Sequence, residues 1–142
     1  MSAMKGILYS VIPVALATFC AAGSAGTHAQ GEPYRASVDS DGVQRVQMVG
    51  GDYFFKPNHI IVKANVPVEL TVQLEPGVVP HSLVLEAPEV GLSVNEDLGR
   101  EARKFTFTAK TTGKYPFYCR NRLLFFKSHR DRGMEGTLEV VE

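Results

Sequence analysis

Tryptophan is absent from this 142-residue chain, so aromatic packing falls to eight Phe and five Tyr. Cysteine is almost absent: there are only Cys20 and Cys119, too few for a disulfide framework. An excess of charge of either sign is missing as well. Fifteen basic residues balance fifteen acidic ones, which removes bulk electrostatics as a route to nucleic acid, and no nucleic-acid partner is expected. No helical period is sustained, and after the N-terminal stretch no repeat or low-complexity segment occurs. No general base, nucleophile or open substrate pocket is legible, so the chain does not read as an enzyme. What remains is the length of one domain with one apolar core.

The first 29 residues stand apart. Lys5 supplies a positive start, Ile7–Ala22 is apolar but short and interrupted by Pro13, and Thr27-His28-Ala29 has the form of a cleavage site. Residues 1–29 are therefore expected to be a signal peptide that sends the protein to the periplasm or otherwise out of the cell, with no membrane span kept after cleavage. An uncleaved anchor is the alternative. A lipoprotein reading of Cys20 is weaker, because the bulky Phe19 precedes it. Loss of the leader makes Cys119 the sole thiol. It then has no partner for an internal disulfide, and metal ligation is an occupation that suits it.

Residues 30–42 are polar and rich in turn formers, and read as a flexible lead-in to a domain spanning 43–142. From Val43 the pattern has a period of two. Val46 and Met48 alternate with Arg45 and Gln47, and His59–Lys63 is short and β-branched. Val68, Leu70 and Val72 alternate with Glu69, Thr71 and Gln73. His81 enters the strand Ser82–Glu86, Phe105 and Phe107 form an inward pair, and Tyr115, Phe117 and Cys119 share a face. Leu138 and Val140 mark a last strand. Ala87–Glu101 reads as an irregular polar loop with one helical turn. About seven short strands separated by turn signals predict an all-β sandwich or barrel.

The chemistry gathers in Tyr115–Leu138, where Cys119, His129 and Met134 follow one another on the loop between the last two strands. With His81 upstream they make a set of two imidazoles, one thiolate and one weak thioether. That donor set suits one copper ion passing between Cu(I) and Cu(II), because a trigonal His₂Cys site with a long axial Met is tolerated by both states. His59, beside a turn on another strand, is read as a surface residue.

In these residues the chain resembles the cupredoxins, the plastocyanin and azurin type of blue copper protein. The likeness rests on Pro80-His81-Ser82, on Gly113–Cys119, and on His129 with Met134, and spans roughly Asp52 to Glu142. It implies a Greek-key β-sandwich with one type 1 copper near one end and no substrate turnover. His81, Cys119 and His129 would be the equatorial ligands and Met134 the axial one. Ser82 would hydrogen-bond around the thiolate and tie two loops together. Cupredoxins keep the second His within a few residues of the Cys, whereas nine residues, Arg120 to Ser128, intervene here. Extra loop length costs little closure entropy, so His129 can still return to the ion; the loop is then either less rigid or takes structure of its own from Leu123-Leu124-Phe125-Phe126. A dinuclear copper centre on the same fold needs a second Cys where Leu123 stands, so that reading fails.

Each residue also has an ordinary explanation. Cys119 could be an inert buried thiol, His81 a strand-end histidine bonded to backbone, Met134 a core filler, and His129 part of a solvated basic loop. Their occurrence together, in this order and strand context, favours a ligand set. The expected function is a periplasmic, monomeric carrier of single electrons between redox partners. The rivals are a copper protein for resistance or delivery, and a metal-free interaction module. Arg120, Arg122, Lys127, Arg130 and Arg132 crowd the ligand loop, with Asp131 the lone acid. They are most simply a solvated face; as a function, they and the apolar Leu123–Phe126 stretch beside them would form a charge-rimmed patch that docks an acidic face of a redox protein.

Overall fold

The computed structural model describes residues 31–142; the expected signal peptide lies outside them. Two β-sheets pack face to face. The strands are β1 (Tyr34–Arg35), β2 (Gln44–Gly51), β3 (Phe54–Lys56), β4 (His59–Lys63), β5 (Val68–Leu74), β6 (His81–Ala87), β7 (Leu92–Leu98), β8 (Arg103–Phe107), β9 (Gly113–Tyr118) and β10 (Glu135–Val141). One sheet has the order β1-β4-β10-β9-β6-β7 and the other β3-β2-β5-β8. Both are mixed: β4 runs parallel to β1 and β10, and β2 parallel to β5, with antiparallel pairs elsewhere. Each alternating stretch read from the sequence turns its apolar set inward. Val46, Val68, Val72, Leu83 and Leu85 are all at most 1% exposed, and burial of one such side chain is worth about 2 kcal/mol.

The strand count is ten rather than about seven. The main addition is β7, within the stretch expected to be an irregular loop. A single turn of 3₁₀ helix, Pro88–Val90, precedes it, and Leu92, Val94 and Leu98 face inward from an otherwise polar edge strand. β7 pairs with β6 along its full length, from His81–Leu98 to Ala87–Leu92. Residues 31–42, read as a lead-in, contribute β1: Tyr34 and Arg35 align with Ile60 and Ile61, and Ala36 donates its N–H to Ile61.

One buried polar group links the sheets. Gln44 is fully buried at the start of β2, and its side chain accepts from Lys63 N–H at 2.7 Å while donating to the carbonyls of Lys63 and Val66. Both polar atoms of its amide are thus hydrogen-bonded, which makes burial tolerable. His59 is a correction to the surface reading. It is half-buried, with Nε2 2.7 Å from a carboxylate oxygen of Glu139 on the neighbouring strand β10.

Candidate metal centre

Two ligand candidates are placed by the sheet itself. His81 is the first residue of β6, and Cys119 follows directly on β9, the neighbouring strand; Val84 pairs with Tyr118. That register sets Ser82 beside Cys119. The Ser82 N–H donates to the Cys119 Sγ at 3.3 Å, the Ser82 hydroxyl lies 3.6 Å from the same sulfur, and the hydroxyl accepts the Arg120 N–H at 3.0 Å. Ser82 therefore holds the thiol and the start of the long loop at once, in the role the cupredoxin likeness implied.

The third candidate returns along Arg120–Ser128. The neck of this loop is closed by His129 N–H donating to the Asn121 carbonyl at 2.9 Å, and its tip by Phe126 N–H donating to Leu123. Arg122 Nε also reaches the Phe126 carbonyl, and Asp131 accepts from both the hydroxyl and the N–H of Ser128. The loop is therefore ordered by hydrogen bonds. Leu123, Leu124, Phe125 and Phe126 do not fold inward to do it: they are 65, 76, 84 and 48% exposed, an apolar stretch lying at the surface beside the basic residues. After His129, one 3₁₀ turn over Arg130–Arg132 ends at Gly133. Gly133 has φ of +106°, a conformation that side chains oppose, and it turns the backbone so that Met134 re-enters the core. Met134 is fully buried; its N–H donates to the His129 carbonyl and its carbonyl accepts the Cys119 N–H, both at 3.0 Å.

The result is a buried group. One donor atom from each of His81, Cys119 and His129 lies within 4.8 Å of the others, and Cys119 Sγ is 3.5 Å from His129 Nδ1. Exposure is 5% for His81, 4% for His129 and zero for Cys119. Burial pushes the His81 imidazole below its ordinary pKa, helped by the nearby His129, while Asp52 opposes the shift. Burial, then the charge of Arg132, does the same to His129. Both rings are thereby kept in the neutral form that a metal requires. The His81 Nδ1 is buried and has no hydrogen-bond partner. An unmet buried polar atom is costly, about 1–3 kcal/mol, and a metal ion between these three donors would satisfy it.

Two further residues shape the group, and the sequence reading missed both. Asn121 Oδ1 accepts from the Cys119 thiol at 3.4 Å. The Tyr53 ring stands perpendicular to that of His129, with centroids 4.9 Å apart and planes at 86°, while the Arg132 guanidinium lies over the Tyr53 ring at 4.5 Å. Tyr53 adopts φ of +65°, a strained conformation for a bulky residue and one that clusters at functional sites. The turn at Gly50–Asp52 was legible; the ring it aims at His129 was not. A cavity of about 1000 Å³ also adjoins His81, lined in part by Pro76–Pro80, Leu98 and Arg100.

The basic cluster divides. Arg120 pairs with Asp97 at 2.9 Å, and Arg130 with Glu135 at 2.6 Å while lying over the Tyr118 ring. Arg122, Lys127 and Arg132 have no carboxylate partner within salt-bridge distance among the described residues.

No protein-family model matches the chain, and no curated protein matches its sequence. Solved structures do. The metal-binding domain of the Cu(I)-exporting P-type ATPase CopA of Streptococcus pneumoniae D39, determined with Cu(I), superposes with a TM-score of 0.60 at 22% identity, covering 78% of this chain and 97% of that one. Reduced auracyanin from Roseiflexus castenholzii gives 0.55 at 15% identity, over 75% and 99%. The periplasmic domain of cytochrome oxidase subunit II from Bradyrhizobium japonicum gives 0.51 at 18% identity, over 69% and 83%. At these identities the likeness establishes architecture. The chain has the cupredoxin fold, and on that fold His81, Cys119 and His129 form a group that fits a type 1 copper site.

Proposed function

We propose that this protein binds one copper ion and carries single electrons between redox partners outside the cytoplasm. The observation that carries the reading is the unpartnered, buried Nδ1 of His81 beside the thiol of Cys119 and the imidazole of His129. Cys119, His81 and His129 would hold the ion, and Met134, buried next to them, would offer a weak axial thioether. Bound copper would supply one reversible oxidation step. The chain supplies everything else. Ser82 and Asn121 keep the sulfur in place, Tyr53 fixes the tilt of His129, and burial excludes water from the soft donor. Because two of the ligands ride on paired strands, little can move when the charge of the site changes. Export outside the cytoplasm rests on the N-terminal signal-peptide pattern of residues 1–29.

The test is a visible absorption spectrum after adding Cu(II), beside Cys119→Ser. An intense charge-transfer band that vanishes in the variant supports a His₂Cys centre. Absence of copper binding would refute it and leave a metal-free β-sandwich interaction module.

A second reading, copper delivery or resistance, has its own support in the likeness to the metal-binding domain of a copper-exporting ATPase. It predicts tight Cu(I) binding, a weak or absent visible band with Cu(II), and rapid metal hand-over to a competing chelator. Slow hand-over together with a strong band favours the carrier.

A further inference from the structure

The ligand loop ends in a closed apolar tip that neither fold nor metal site requires. Leu123, Leu124, Phe125 and Phe126 are consecutive, and together they are half of the large apolar residues exposed among those described. Contiguous exposure of this kind marks an interaction surface rather than the scattered apolar exposure of an ordinary protein face. The tip is held in shape. Its turn is closed by Phe126 N–H to the Leu123 carbonyl, and the Phe126 carbonyl is taken up by Arg122. Beneath it, Leu123 and Phe126 share a small hollow with Tyr53, Lys127, His129 and Arg132.

We propose that this tip inserts into the surface of an anionic lipid bilayer, with Arg122, Lys127 and Arg132 at the headgroups. Three features select that occupant. The four side chains carry no hydrogen-bond donor or acceptor, so the tip offers apolar area without directional recognition. It is highly exposed at Leu124 and Phe125, 76 and 84%, which suits a deformable bilayer interface. It is ringed by cations without carboxylate partners, which attract anionic headgroups and repel a second copy of the same surface. An apolar face a few ångströms deep with basic residues at its margin is how proteins lie on membranes without crossing them. The proposal goes beyond electron carrying and needs no metal.

Because the chain has no tryptophan, Phe125→Trp creates a single tryptophan, excited apart from the five Tyr, at the tip of the full-length protein. Mixed with phosphatidylcholine vesicles containing phosphatidylglycerol, its emission is expected to shift to the blue and to be quenched by brominated acyl chains. With pure phosphatidylcholine it stays at the water value. Lys127→Gln in that background weakens vesicle affinity about fivefold, and added salt weakens it further. Val78→Trp is the control: Val78 is 96% exposed, on the loop leading into His81, and a fluorophore there stays in water. A Phe125→Trp emission that never leaves the water value would overturn the proposal. So would a tip that stays in water while salt-sensitive electron transfer to an acidic soluble redox protein depends on it. Equal shifts at positions 78 and 125 would overturn it too, since insertion would then not belong to this loop.

Discussion

The candidate metal centre is assembled from two regions that work by different means. On one side, His81 and Cys119 are fixed by strand register: β6 and β9 are neighbours in the six-stranded sheet, and Ser82 clasps the sulfur from the adjacent position. On the other, His129 sits at the end of a nine-residue excursion that has no sheet to lean on and is held by a few hydrogen bonds. The first region hides its apolar side chains and the second displays them. Placement by register costs the site nothing beyond folding, but it offers no freedom of surface. Placement by a loop frees the outer face for contact with something else.

The largest expected effect breaks the strand side. Gly136 of β10 pairs with Phe117 of β9, and a Cβ there would collide with the Phe117 ring and the Asn58 carbonyl. Gly136→Ala should destabilise the fold by about 3 kcal/mol in denaturant unfolding. A next step compares the two clasps on the sulfur. Ser82→Ala strands the Arg120 N–H and should cost about 1–2 kcal/mol. Asn121→Ala leaves the backbone bond from Asn121 to His129 intact, so it should cost less than Ser82→Ala while still altering the visible band of a copper-loaded sample. Equal losses of stability would mean that the loop bears as much of the site as the strands do.

Smaller and opposite in sign is Leu124→Gly. Leu124 holds φ of +47°, a left-handed conformation that costs a branched residue about 1 kcal/mol and glycine almost nothing. The variant should therefore be no less stable than the parent, and stabilised by up to ~0.5 kcal/mol once glycine's extra chain entropy is counted. A loss of more than ~1 kcal/mol would show that the tip side chain packs onto the domain.

The smallest effect lies outside both regions, at the exposed Asp41–Arg45 pair. A side-chain hydrogen bond from Arg45 lowers the Asp41 pKa to about 2. A carboxylate whose folded pKa is depressed contributes stability above its unfolded value and loses it as pH falls through the folded one. The difference in melting temperature between the parent and Asp41→Asn should accordingly shrink as the pH is lowered from about 5 toward 2. A difference that grows on acidification would reverse the sign of this linkage.

Most of the sandwich was legible because half-buried strands write themselves as a period of two, as Val68–Val72 and Phe105–Phe107 do. β7 was not, because an edge strand can carry Ser93, Asn95, Glu96 and Asp97 and still pair along its length. The grouping of His81, Cys119 and His129 was legible because a thiol left single by the expected loss of the leader, followed by a His on the same loop, has few occupations. Leu123–Phe126 was legible as an apolar patch beside basic residues, but the ordering of its loop was not. Nothing in the spacing says that hydrogen bonds at Asn121, Arg122 and Ser128 hold it. Tyr53 and Asn121 were invisible for a related reason: each acts across the fold or through its own backbone, where no motif marks it.

The backbone bond that ties His129 to Asn121 has one more consequence. Below it, Cys119, His129 and Met134 are linked backbone to backbone, and above it the backbone bond at the tip, from Phe126 to Leu123, stays within the loop. The segment from Arg122 to Lys127 is thus an exchangeable cap on a fixed socket. Caps of other lengths and compositions could be grafted there, changing what the protein attaches to while the donors beneath keep their places.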